Sequence, residues 1–218
     1  MTKYLIINAD DFGMSQIFNE VILDLIRKDL IHSTTVVIDR DMDNQKEQIA
    51  ELIAFSKSKN LSVGLHLEFK DSDYPSQIKS QYQKFKDIFG FNPSHIDIHK
   101  AHSLMDSFSD VAEFCKKNNL PLRNSGVLFE DIKTTSSEAF FGSIADFEKI
   151  AEWIKTFEDE EYYEILFHPG KFDPGCKSNL NKDRERDVEH IKNLNNILEK
   201  NNIKAVSYLD LAARTKFH

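Results

Sequence analysis

Cysteine, glycine and proline are all scarce in this chain, and each shortage narrows what it can be. Two cysteines, Cys115 and Cys176, stand far apart in 218 residues with no CxxC spacing, so a disulfide scaffold and a thiolate metal cage are excluded. They read as free thiols in a reducing compartment, and the expected location is the cytoplasm. Seven glycines and five prolines are too few and too dispersed for a linker, and the chain has no low-complexity tract or internal repeat. One domain over residues 1–218 is expected, large enough to bury a core. No run approaches the roughly 18 apolar residues of a membrane span. After one lysine the N-terminus enters an apolar β-like run, without the features of a signal peptide. Basic residues are in deficit as well. With 28 Lys and Arg against 36 Asp and Glu, the formal charge is −8, which argues against a protein held by nucleic-acid phosphates or anionic lipid. A homodimer is compatible with this composition.

What is present is an alternation. Apolar β-like runs fall at about 3–8, 33–38, 61–67, 94–98, 120–123, 162–167 and 203–207, separated by segments with apolar residues three and four apart. Ile17, Val21 and Leu25 form one such helical stripe, Phe147, Ile150 and Ile154 another, and Ile191, Leu194 and Leu198 a third. Ser15 and Asp106 are placed to cap the helices that follow them. Seven β/α units imply a parallel sheet with helices outside. An open sheet and a closed barrel both fit. The unusual polar residues favour the barrel, because Asp10, Asp11, His66, His99, Arg123 and His168 all lie at or just past the C-terminal ends of different strands. In a barrel those ends converge on one rim, where catalytic groups collect. The chain is short for eight units, so the expected fold class is α/β, a distorted (β/α) barrel of about seven strands.

The stretch NADDFG ends the first strand in adjacent carboxylates, Asp10 and Asp11, which repel each other. Strand alternation sends neighbours in different directions, so one carboxylate can bind a cation while the other faces a water as a base. Without a cation, at least one of the pair should titrate high or carry an unfavourable charge. GLHLEF places His66 at a strand end. HIDIHKAH supplies His95, Asp97 and His99 on one face of a strand, His99 nearest the rim, with His102 beyond it. One acid and two imidazoles from three strands make a common site for one divalent ion with positions left to water. In EILFHPG, His168 precedes a rigid Pro-Gly turn and suits either a fourth ligand or a general acid. Arg123, at the end of LPLR, can hold a carboxylate ionised.

NADDFG, STT at Ser33–Thr35, GLHL, HIDIH, LR, FFG at Phe140–Gly142 and EILFHPG, in this order over nearly the whole chain, resemble the YdjC family of carbohydrate deacetylases. The resemblance implies a TIM-barrel-like fold and metal-dependent hydrolysis of N-acetyl groups on sugars or short oligosaccharides. Carried onto this sequence, Asp11, His66 and His99 are metal ligands, Asp10 is the base and His168 the acid. Arg123, Asp97 and His102 are left to support these groups or contact substrate. Two histidines favour Zn²⁺, and one carboxylate with open water positions permits Mg²⁺. Two departures bear on the substrate cleft: HKAHS puts His102 out of the family's register, and EFKDSDYPSQ after His66 is short. Two other readings compete. A phosphoesterase-like hydrolase would want a second metal or more cations, and a non-catalytic sugar-binding regulator would have lost a ligand or the base. None of these residues is missing.

Overall fold

The computed structural model describes residues 2–127 and 129–214, with the backbone alone for His102. Among the described residues the β-strands are β1 (Lys3–Phe12), β2 (Ser33–Val36), β3 (Ser62–Leu67), β4 (Ile96–Ile98), β5 (Phe140–Phe141), β6 (Tyr162–Phe167) and β7 (Ile203–Val206). Between and after them run α1 (Gln16–Arg27), α2 (Lys46–Ser58), α3 (Tyr74–Phe89), α4 (Phe108–Asn118), α5 (Phe147–Lys155), α6 (Arg184–Lys200) and α7 (Tyr208–Ala213). All strand pairs are parallel, in the order β4-β3-β2-β1-β6-β5. β7 pairs with Lys3–Ile6 of β1. Because β6 occupies the other edge of β1 along Tyr4–Ala9, β7 and β2 share one edge end to end. The result is the expected α/β architecture, a curled, barrel-like parallel sheet with helices outside it.

Two boundaries differ from the expected ones. Residues 120–123 form no strand. Leu122 makes only an isolated bridge to Ile96, because Pro121 lacks an N–H for a continuing ladder. Ile96 donates to Pro121 and Arg123 donates to Ile96, both at 3.0 Å, enough to carry Arg123 to the rim. The strand that takes this place beside β6 is β5, two residues long. Ser15 caps α1 as expected, its hydroxyl accepting from the Ile17 amide at 3.2 Å. Asp106 does not cap α4, which starts at Phe108 after a short 3-10 turn over Met105–Ser107.

The helical stripes form core faces, with Val21, Leu25, Ile150, Ile154, Ile191, Leu194 and Leu198 buried and the leading residues Ile17 and Phe147 half-buried. Among the described residues no helix is long and apolar enough to cross a membrane. Both described cysteines are free, Cys115 in the core and Cys176 half-buried at the rim.

Candidate active site

β1 brings both carboxylates to the cleft through a bulge rather than through simple alternation. Ala9 pairs with Thr34 and Phe12 with Val36, three steps along β1 against two along β2. The extra residue bends the strand. Asp11 absorbs the bend at φ 72°, a left-handed conformation that Asp adopts more readily than most residues. Asp10 and Asp11 therefore both line the cleft while meeting different partners.

Asp11 Oδ1 lies 3.7 Å from His66 Nε2 and 3.6 Å from His99 Nδ1, and the two ring nitrogens are 3.1 Å apart. A point equidistant from three atoms so arranged is about 2.0 Å from each, the length of a zinc–nitrogen or magnesium–oxygen bond. Asp11 Oδ1 is buried and has no hydrogen-bond partner. A buried carboxylate oxygen without a donor, facing two imidazoles, is chemically unfinished unless a cation completes it. His66 is oriented from behind, Nδ1 bonding Asp97 Oδ1 at 2.6 Å, so that Nε2 faces the triangle, as ligand histidines are commonly held. Burial opposes the charging of His66, but Asp97, Asp10 and Asp11 together raise its pKa to about 9. Burial and the neighbouring His66 push His99 down to about 4.

Asp10 faces a different set of groups. Arg123 grips it with both terminal nitrogens, Nη1 to Oδ2 at 2.8 Å and Nη2 to Oδ1 at 2.7 Å. Asn8 donates to Oδ1 at 2.6 Å. His168 Nε2 stands 3.8 Å from Oδ2. Of the two outcomes expected for the pair, a raised carboxyl is not found. Burial works to raise both carboxyls, yet Arg123 and His66 hold Asp10, and His168 and Arg184 hold Asp11, below the ordinary range. Each aspartate has its own arginine. Asp10, His66 and Asp97 could form a second metal group, but the Arg123 guanidinium already fills it, with Nη1 2.5 Å from Asp97 Oδ2.

His168 is fixed through its far nitrogen. Nδ1 lies 2.9 Å from the Ser143 hydroxyl, which donates to Asp187 Oδ2. Ser143 Oγ is thus the acceptor for Nδ1–H, leaving Nε2 toward Asp10 and the cleft. Asp187 Oδ2 also accepts the His168 amide at 2.8 Å. Burial raises the Asp187 carboxyl, opposed by the Ser143 hydroxyl and that amide.

Of the residues singled out in the sequence, Asp10, Asp11, His66, His99, Arg123 and His168 meet around one cleft of about 830 Å³. Asp97 lies just behind them. The side chain of His102 falls outside the described residues. His95 is buried away from the rim, stacked on Tyr208 at 3.6 Å between ring centroids. Sequence reasoning missed Arg184, Ser143, Asp187 and Glu164. Arg184 is fully buried, donates to Asp11 Oδ2 at 2.6 Å and packs its guanidinium 3.8 Å from the Phe18 ring centroid. Gly170 leaves room for it, since a Cβ there would lie 2.8 Å from Phe18 and 3.0 Å from the Arg184 Cδ. Glu164 alone carried a signal, a carboxylate in the middle of the apolar run YYEILF.

Comparison with known proteins agrees with this architecture. A carbohydrate deacetylase of Clostridium beijerinckii is 25% identical over 95% of this chain and 99% of its own length. A chitooligosaccharide deacetylase of Proteus mirabilis is 28% identical over 79% of this chain and 83% of its own. Among solved structures, a protein of Enterococcus faecalis V583, provisionally described as a cellobiose-phosphate cleavage protein, superposes with a TM-score of 0.81 at 20% identity, covering 97% of this chain and 99% of that one. The model of the YdjC-like protein family matches residues 4–77 and 72–195, and on that span the chain belongs to this family.

Proposed function

We propose that the chain is a divalent-metal-dependent deacetylase that hydrolyses the acetamide of N-acetylated sugars or short oligosaccharides, as one domain acting in the cytoplasm. The observation that carries this reading is the unpartnered, buried Asp11 Oδ1 facing His66 Nε2 and His99 Nδ1, with a base candidate and an acid candidate flanking it. The names of the curated relatives supply the substrate class.

An ion held by Asp11, His66 and His99 would supply Lewis acidity, making a water easier to deprotonate and the acetyl carbonyl more electrophilic. Asp10 accepts the proton of the attacking water. Arg123 keeps it ionised, and because Oδ1 already accepts from Arg123, Asn8 and Thr35, Oδ2 is the oxygen left to take the proton. His168 Nε2 delivers a proton to the departing amine, which is otherwise a poor leaving group. Ser143 and Asp187 fix the ring so that this nitrogen faces the cleft. The Arg123 cation in the Asp10–Asp97 group favours one ion per chain and disfavours a two-metal phosphoesterase.

The test is release of acetate from a panel of N-acetylated mono- and oligosaccharides by purified protein, before and after EDTA and after re-addition of Zn²⁺ or Mg²⁺. Acetate released, abolished by chelation and restored by metal, is the expected result. No acetate from any member of the panel with metal restored overturns the reading.

A further inference from the structure

We infer that the start of α7 reaches the catalytic base: Tyr208 and Glu164 are positioning residues that hold the Arg123 guanidinium, and through it Asp10. The inference rests on the deacetylase reading for the role of Asp10, and extends it to a part of the chain remote from the cleft.

Arg123 has three buried carboxyl partners. Its two terminal nitrogens serve Asp10 and Asp97, and its Nε donates to Glu164 Oε1 at 2.9 Å. A guanidinium is a rigid planar fork, so the partner of Nε sets the angle at which the two terminal nitrogens meet a carboxylate. Glu164 is itself completely buried on β6, and its other oxygen, Oε2, accepts the Tyr208 hydroxyl. Both oxygens of Glu164 are thus committed, one to the arginine and one to the tyrosine.

Tyr208 is placed as tightly as Glu164. It is the first residue of α7, set by a capping box in which Ser207 and Asp210 bond each other's backbone. Its amide donates to Ser62 Oγ at 3.2 Å, and its ring lies parallel to His95, 8° from coplanar. The His95 ring in turn occupies the space over Gly64, where a Cβ would sit 2.4 Å from its Cε1. Gly64, His95, Tyr208, Glu164, Arg123 and Asp10 therefore form one continuous chain of contacts. All six members are buried or backbone-only, so no solvent is at hand to replace a lost partner.

A packing role for Tyr208 needs only its ring, whereas a positioning role needs its hydroxyl. Tyr208→Phe separates the two, since the stack on His95 is kept. Steady-state kinetics on an acetylated sugar should show kcat about tenfold lower with KM changed by less than about twofold. Glu164→Gln, which keeps the shape and replaces one acceptor oxygen by an NH2 donor, should lower kcat about 100-fold in the same pattern. Because the two act in series, Tyr208→Phe/Glu164→Gln should be no slower than Glu164→Gln alone. The wild-type Arg123 Nε–H should give a slowly exchanging NMR signal that exchanges faster in Tyr208→Phe, a readout that needs no turnover and stands even if acetate release fails. Wild-type kcat in Tyr208→Phe, losses that multiply in the double variant, or an Arg123 Nε–H indifferent to the hydroxyl would each overturn the inference. Should Glu164→Gln fail to fold, the kcat and exchange of Tyr208→Phe decide alone.

Discussion

Asp10 and Asp11 are adjacent in sequence, yet each is neutralised separately, one by Arg123 and the other by Arg184. The folded state consequently tolerates the pair without metal. Because both carboxyls are held below the ordinary range, their contribution to stability is complete above the unfolded carboxylate value, near pH 4, and is lost as pH falls through the folded one. Asp11→Asn should weaken metal binding and also destabilise the metal-free protein by about 3 kcal/mol, since Arg184 is left buried beside a neutral partner. Asp10→Asn should keep its ion, measured by metal content, and lose turnover. A metal-free Asp11→Asn protein melting with the wild type would sink the first of these. His66 titrates the other way. Its pKa is raised from 6.5 to about 9, so its contribution to the metal-free protein is full below about pH 6.5 and lost as pH rises through 9. The ion must displace that proton, and about one proton per ion should be released near pH 7.5. Calorimetry in buffers of different ionisation enthalpy reads it, and a binding heat independent of buffer would refute it. Asp10, Asp11, His66, His99 and His168 were legible because each closes an apolar strand with a side chain that such a strand does not need. Arg184 was not, because in RERDVEH it is one charge among many on a helix, and only the tertiary docking of that helix buries it.

At the level of elements, the N-terminal turn of α6 does two jobs. Arg184 reaches Asp11, and Asp187, three residues on and on the same face, reaches both Ser143 and the His168 amide. One helix start thus braces the Asp11 side and the His168 side of the cleft. Ser143 is the connecting piece, and it sits in the short turn that follows β5. Ser143→Ala should lower kcat by about tenfold while KM and bound metal stay near wild type, because it frees the His168 ring without touching a ligand. Unchanged kcat in that variant would show the ring is held by its Pro-Gly turn alone. The same region shows where sequence patterning runs out. LPLR has the apolar alternation of a strand, but Pro121 stops the ladder after one bridge. FFG, a two-residue strand, is too short for any periodicity to register. Strands β1, β3 and β6 and helices α1, α5 and α6 were readable because their apolar residues recur at the strand or helix period.

For the molecule as a whole, the ion should act as a ligand of the folded state only. At about 100-fold over its dissociation constant it should add roughly 3 kcal/mol, seen as a rise in melting temperature that EDTA reverses and that His66→Ala and His99→Ala lack. Because the arginines already balance the site, the metal-free protein should still unfold in one cooperative transition; a chelated protein without one would contradict that. A last consequence follows from the sheet order. β1 is the hub of the sheet, flanked by β2, β6 and β7, with Tyr4 against Tyr162 and Lys3 against Ile203. β1 is therefore made before every strand it pairs with, and waits longest to find all its neighbours. Until residues near 206 have been made, an apolar strand bearing both aspartates stands with open edges, a slow, non-local closure of the kind that lengthens folding and invites chaperone capture.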